Sequence, residues 1–431
     1  MILSLSLYLP AHGAVATPLL TQSFTVTDRS EVTAVIHARC VRCAWGERGR
    51  EAATLRLLVD GKYSQHLMLT RGDVDADYPI ALGAVDAGRH DLQIELDAAL
   101  SAPGIAPATV SRVDMTVVDR AKDEYQALSM APILHARANT VGRFTDLPIL
   151  MWYEVVPTPR GRQFRYSVIF INEDGGTATD RLMATWGRTT DIEYVYGVEV
   201  DANGAVLAEE YQGPGHEVPR FVGKHENRHP LLWVATDNNM VSDSGTTDLR
   251  YAPAPERFAL DDVSREAVMD AHPWSYTLAA EEMRREGKIA NAAAPKSGEI
   301  PDPRRFVVVE ACTELQHAAV AFSIRAKNAA GVERWYDSDR GVPEFRIVRT
   351  GCFRGAVPLP AGARPPDAIR FRAFVRTPPG TVESSVLSSV RVTRINKVFT
   401  FDEHYQPRRS VFSWQGSLPV MTDGDWREVI F

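Results

Sequence analysis

The chain has 431 residues, 45% hydrophobic and 24% charged. That is enough to bury two or three cores, and it excludes a disordered, collagenous or coiled-coil chain. Lys and Arg total 48 against 55 Asp and Glu, for a net charge of -7; an acidic chain of this kind lacks the electrostatic footprint of a nucleic-acid binder, so no nucleic-acid partner is expected.

The first charged residue is Asp28. An apolar run over residues 2–10 leads to Ala14-Val15-Ala16, the small-residue pattern of a secretory cleavage site, so residues 1–16 read as a signal peptide and the mature chain as secreted or periplasmic. No Lys or Arg precedes the run, and its shortness also suits a competing reading, a first strand buried in the fold. No other segment approaches the ~18 consecutive apolar residues of a membrane span. Four cysteines suit an oxidising compartment. Cys312 and Cys352 each adjoin an apolar strand-like run and are expected to pair, while Cys40 and Cys43 close a local loop or stay reduced. A cysteine zinc site would need two C-x2-C units, and one is present.

The expected fold is mainly β, a series of antiparallel, jelly-roll-like sandwiches with a short helical segment near residues 261–287. Residues 17–120 form the first module: short strands separated by turn signals such as Asp60-Gly61, without intervening helices. Residues 121–258 form a central β domain, in which Asn203-Gly204 between two apolar runs is the strongest hairpin signal. Residues 259–303 are helix and linker, with Ser275 as the expected cap, Glu281, Glu282, Arg284, Arg285 and Glu286 facing outward, and Gly287 as the stop. Residues 304–431 return to strands and end in an aromatic tail that should pack back on the protein.

Side chains able to move protons or hold a metal concentrate between residues 172 and 250. Asp191 and Glu193, two apart in a predicted strand, share one face and repel unless a cation, a shared proton or Arg188 relieves them. They are the candidate general base and metal ligands. His225 and His229 are candidate proton carriers or ligands within H-E-x-x-H, a motif that serves zinc peptidases when it is helical. Gly223 and Pro230 flank it here, which disfavours a helix and makes the zinc peptidase the weakest reading. Trp186 and Trp233 could stack on sugar rings, with Arg188, Asn238 and Asn239 as polar contacts. Asp174, Asp237 and Asp243 add hard oxygens suited to calcium or magnesium. The Asp73, Asp75 and Asp77 triplet lacks the glycine of a calcium loop and reads as an acidic loop. No nucleophile elbow, P-loop or dinucleotide fingerprint occurs.

Two resemblances follow from these residues. The order of strands and turns from the Val59-Asp60-Gly61 turn to Gly88-Arg89-His90 resembles jelly-roll carbohydrate-binding modules. Tyr166-Ser167-Val168-Ile169-Phe170, Glu173-Asp174 and Gly187-Arg188-Thr189-Thr190-Asp191-Ile192-Glu193, within residues 166–201 and 230–240, resemble the secreted necrosis-inducing proteins, whose sandwich carries G-H-R-H-D-W-E. Asp191 and Glu193 match its D-x-E, Asp174 or Asp180 its upstream Asp, and Arg188 and Thr190 replace its two histidines. The resemblance implies a cation-assisted site for glycolipid or sugar head groups. The expectation is a divalent-cation-assisted hydrolase or lyase acting on extracellular carbohydrate, or alternatively a calcium-dependent sugar- or glycolipid-binding protein.

Overall fold

The computed structural model describes residues 17–106, 108–137, 146–173, 176–376, 388–422 and 424–431. The signal-peptide reading and Asp174 fall outside them. The chain is mainly β, with 48% strand against 10% helix, so tertiary strand pairing rather than local helix formation sets the architecture.

Two antiparallel sheets make the N-terminal sandwich. One pairs Leu20–Val26, Gly88–Leu96, Thr54–Val59 and Lys62–Met68; the other pairs Ala76–Val85, Ser30–Cys40 and Ala108–Val117. Their alternating inward residues, among them Val32, Ala34 and Ile36 facing Leu55, Leu57, Leu92 and Ile94, form one core. The Cys40 to Cys43 bond closes the end of strand Ser30–Cys40.

The central region is built on a five-stranded sheet: Val206–Tyr211, Asp191–Val200, Gly161–Phe170, Pro148–Thr158 and Glu256–Arg257. The predicted hairpin lies between the first two of these, with Gly204 at φ 81° in the turn. A second five-stranded sheet, of shorter strands, joins Ile133–His135, His229–Val234, Arg250–Tyr251, His225–Glu226 and Val241–Ser242. Among the described residues four α-helices accompany these strands: α1 (Asp123–Ser129), α2 (Thr179–Trp186), α3 (Ala267–Ala271) and α4 (Trp274–Arg285). Gly187 ends α2 at φ 63°, and a Cβ there would lie 3.2 Å from Arg354 Cβ and Val308 Cγ1. Only glycine fits both demands.

Helix α4 departs from expectation in two ways. It starts at Trp274 rather than after Ser275, whose hydroxyl donates to the His272 carbonyl at 2.8 Å instead of capping. Glu282, expected outward, is fully buried: Trp45 Nε1 donates to it at 2.7 Å, and Arg285 at 2.6 and 2.7 Å. The N-terminal sandwich covers that face of α4, and the cost of burying a carboxylate is offset by these donors.

The C-terminal sandwich pairs Gly351–Pro358, Phe306–Gln316, Ser389–Phe399 and Phe412–Val420 in one sheet, and Glu333–Asp337, Ala318–Lys327, Ala368–Val375 and Arg427–Ile430 in the other. Cys312 and Cys352 are directly opposed across neighbouring strands and bonded, as expected. The aromatic tail supplies strands to this sandwich, with Phe412 stacked on Phe431 at 4.2 Å. It also packs Phe401 against Tyr276 of α4. Among the described residues no helix is long and apolar enough to cross a membrane.

Candidate functional site

Asp191 and Glu193 open a strand of the central sheet and are both buried, Asp191 completely. Asn172 and the loop at residues 236–240 lie against them. Asn239, held at φ 52°, donates from Nδ2 to the Asn172 carbonyl at 2.6 Å and to Asp191 Oδ2 at 3.0 Å. The two polar segments that the sequence singled out therefore converge on one knot. Glu193 accepts from Gln212 Nε2, whose other neighbour is His216. Asp191 Oδ1, Asn239 Oδ1 and Glu173 Oε2 are buried without a hydrogen-bond partner among the described residues.

Burial, and then the negative charges of Glu193 and Glu173, push the Asp191 carboxyl well above the usual carboxylate range. Burial also raises Glu193. Arg188 offsets the Asp191 charge only from a distance, and its direct ion pair is elsewhere. Its Nε pairs with Glu266 at 3.1 Å, both side chains are buried, and it donates a second bond to the Thr190 carbonyl. Burial opposes the charge on Glu266, but Arg188, Arg349 and Arg354 hold its carboxyl below the ordinary value.

The remaining predicted residues are placed elsewhere. His225 and Glu226 form a short strand that turns through Asn227, at φ 57°, to pair with the strand carrying His229, so H-E-x-x-H is a hairpin and not a helix. His225 Nε2 meets Glu209 at 2.7 Å. His229 is buried between the Ala131 carbonyl at 2.9 Å and Glu31 of the N-terminal sandwich at 3.1 Å. Burial works against its charge, but Glu31 outweighs burial and raises its pKa. It serves as a joint between two domains. Trp186 lies among Arg181, Arg188 and Arg349, and Trp233 stacks on His135 at 4.5 Å. Asp237 pairs with Arg137 at 3.3 Å, Asp243 accepts from the Val222 amide at 3.1 Å, and Asn238 accepts from Thr236 at 2.8 Å. Among the described residues, no group of three or more His, Cys, Asp or Glu side chains is placed to hold a metal ion.

A sizeable cleft lies away from this knot. Residues 251–256 run as a strap between domains: Ala81 donates to the Ala252 carbonyl at 2.9 Å, Ala254 to the Pro79 carbonyl at 3.2 Å, and Glu256–Arg257 continues as a strand beside Trp152 and Tyr153. Beneath the strap is a cleft of about 400 Å³ walled by Leu67, Met68, Ile80, Ile149 and Met151, with Tyr78, Arg71, His272 and Trp274 also in its lining. Its size is that of a small-molecule site, and such sites occur preferentially at domain interfaces. Arg71 lies over the Trp274 ring at 3.5 Å. Burial lowers the Arg71 guanidinium to about 10 and raises the Tyr78 hydroxyl to about 12. His272 Nε2 lies 2.5 Å from Glu256. Sequence reasoning missed this cleft, because its walls come from five separated segments and none carries a motif.

No family model matches the chain, and no curated protein does. Among solved structures it is similar to a sugar-binding EclA C-terminal domain, 17% identical over 23% of this chain and 68% of that one, at a TM-score of 0.19. A Paenibacillus cycloisomaltooligosaccharide glucanotransferase complexed with cycloisomaltoheptaose is 11% identical over 93% of this chain and 40% of its own, at 0.17. A Pleurotus ostreatus lectin in complex with GalNAc is 8% identical over 95% and 77%, at 0.11. At these scores they carry no argument about this chain, and none is of the necrosis-inducing type.

Proposed function

We propose that this is an extracellular binding protein for a carbohydrate-like ligand, and that the ligand sits in the cleft under the 251–256 strap. The observation that carries the reading is the cleft itself: a cavity of about 400 Å³ between the N-terminal sandwich and the central sheet, apolar-walled, with an indole, a phenol and a few fixed polar groups in its lining. A pyranose ring presents apolar C–H faces and a polar rim, and walls of this composition complement both. Two bonded cysteine pairs accord with an oxidising, extracellular location.

Binding is favoured over turnover by the state of the carboxylates. Glycoside hydrolysis needs two carboxyl groups flanking the scissile bond. In the cleft, Asp77 and Glu256 are each committed to a histidine, His37 at 2.6 Å and His272 at 2.5 Å. A second reading, a cation-assisted hydrolase or lyase, draws support from the unpartnered oxygens of Asp191, Glu173 and Asn239, which suit calcium or magnesium.

The test is a panel of oligosaccharides scored for retention, for release of reducing ends and for bound metal. Retention without turnover is expected, weakened about tenfold or more in Trp274→Leu and unchanged in Asp191→Ala and Glu193→Ala. Turnover or stoichiometric metal lost in Asp191→Ala would transfer the function to the knot.

A further inference from the structure

The carboxylate, guanidinium and imidazole side chains lining the cleft are His66, Arg71, Asp77, Glu256 and His272, and four of the five are already paired. His66 lies between Tyr63 at 2.7 Å and Asp97 at 3.2 Å, Asp77 holds His37, and Glu256 holds His272. Gln65 is spent in the same way, on the Ala81 carbonyl at 2.6 Å and the Ala252 amide at 2.9 Å. Arg71 is the exception. Its backbone amide donates to the Tyr78 hydroxyl at 3.1 Å, and its guanidinium carbon lies 3.5 Å from the Trp274 ring centroid. Asp77 acts on its charge from beyond ion-pair distance, and among the described residues no carboxylate is in ion-pair contact with it and no acceptor takes its N–H groups.

A guanidinium partly withdrawn from water, as the half-buried Arg71 is, loses hydration that a neighbouring indole restores only in part, because the ring attracts the cation but is a poor acceptor for its N–H groups. The group that matches those edges is a carboxylate, which accepts two parallel N–H bonds from the fork. We propose that the cleft recognises a carboxylate-bearing ligand, and that Arg71 is the residue that binds the carboxylate while Trp274 holds the guanidinium in place. This rests on the reading of the cleft as a carbohydrate site and deepens it: the ligand class is a uronate sugar, with its ring against the apolar wall. An aliphatic carboxylate shares the anionic chemistry and is separated from a uronate by the test.

The experiment is calorimetric titration of the full chain and of Arg71→Met, which keeps an apolar chain over Trp274, with a uronic-acid disaccharide, its neutral hexose counterpart and hexanoate. The uronate is expected to bind the native chain at least about tenfold more tightly than the neutral sugar, the strength of a charge-assisted bond. Arg71→Met should abolish that preference, bringing the uronate down to the affinity of the neutral sugar. Equal affinity for the two sugars, or undiminished uronate binding by Arg71→Met, overturns the carboxylate assignment and leaves the cleft reading standing. Arg71-dependent binding of hexanoate with no sugar bound upholds the assignment and overturns the carbohydrate reading. No binding of any probe overturns both. Should Arg71→Met not fold, the salt dependence of the native chain decides: uronate affinity that falls between about 50 and about 500 mM salt while neutral-sugar affinity holds upholds the assignment, and equal response overturns it.

Discussion

Arg354→Met is expected to destabilise the protein by about 3–5 kcal/mol, the usual effect of removing one partner from a buried ion cluster, read as a shift of the urea unfolding curve. Arg354, in strand Gly351–Pro358, is fully buried, as is Glu310 beside it. Its Nε donates to Glu310 at 2.7 Å, its Nη1 to Asp270 of α3 at 3.0 Å, and a further N–H to Tyr276 of α4. Lys397 reaches the same Asp270 at 2.6 Å. The cluster joins the C-terminal sandwich to the helices of the central region. Methionine would keep the volume and strand Glu310 as a buried anion held only by Ser264 and Asn396. The double variant Arg354→Met/Glu310→Leu should recover part of the loss, because no lone charge then remains; a double variant as unstable as the single one would place the cost in packing instead. Burial opposes ionisation of Asp270, but Arg354 and Lys397 lower its pKa below the ordinary value. Its contribution is therefore present above the unfolded-chain value near 3.9 and lost as pH falls through the native one.

Asp191→Asn is expected to be more stable than the native chain, by a margin that widens with pH. The Asp191 carboxyl is held above its ordinary value by burial and by Glu193 and Glu173. Above pH ~3.9 the unfolded chain therefore releases a proton that the folded chain retains, and native stability falls by up to about 1.4 kcal/mol per pH unit until the buried carboxyl ionises. Asparagine removes that slope. It also keeps a carboxamide acceptor for Asn239 Nδ2, now bonded at 3.0 Å. Unfolding curves of both proteins between about pH 4.5 and 7.5 check this. A margin independent of pH would mean that Asp191 ionises in the folded chain as freely as in the unfolded one.

Much of the architecture was legible in the chain because period-two alternation records which face of a strand is buried. Strand Ser30–Cys40 alternates Val32, Ala34, Ile36 and Ala38 inward, and Asn203-Gly204 marks a turn that few other pairs can make. The pairing of Cys312 with Cys352 followed from their apolar strand neighbours. Helix α2 was missed, since eight residues with Leu182 and Met183 on the buried face give too short a run to separate helix from strand. The burial of Glu282 was missed for a different reason: its donor, Trp45, lies 237 positions away, and nothing local reports it. The site divides in the same way. Asp191, Glu193, Asn239 and Asn172 stand out in the chain only as polar positions, and the fold places them together. His225, His229, Asp237 and Asp243 are polar for other reasons, each bonded to a partner that fixes a hairpin or a domain joint. Arg71 and Trp274 are 203 positions apart and become significant only when the strap brings the two domains together.

The ligand is expected between the N-terminal sandwich and the central sheet, and not at the carboxylate knot. A crystal structure of the full chain with a uronate oligosaccharide tests it most directly. The sugar is expected under the 251–256 strap, with its carboxylate on Arg71 and its ring against Trp274 and the Ile80 wall. Sugar bound beside Glu193 and Gln212, or on the outer face of the N-terminal sandwich with the cleft unchanged, would contradict it.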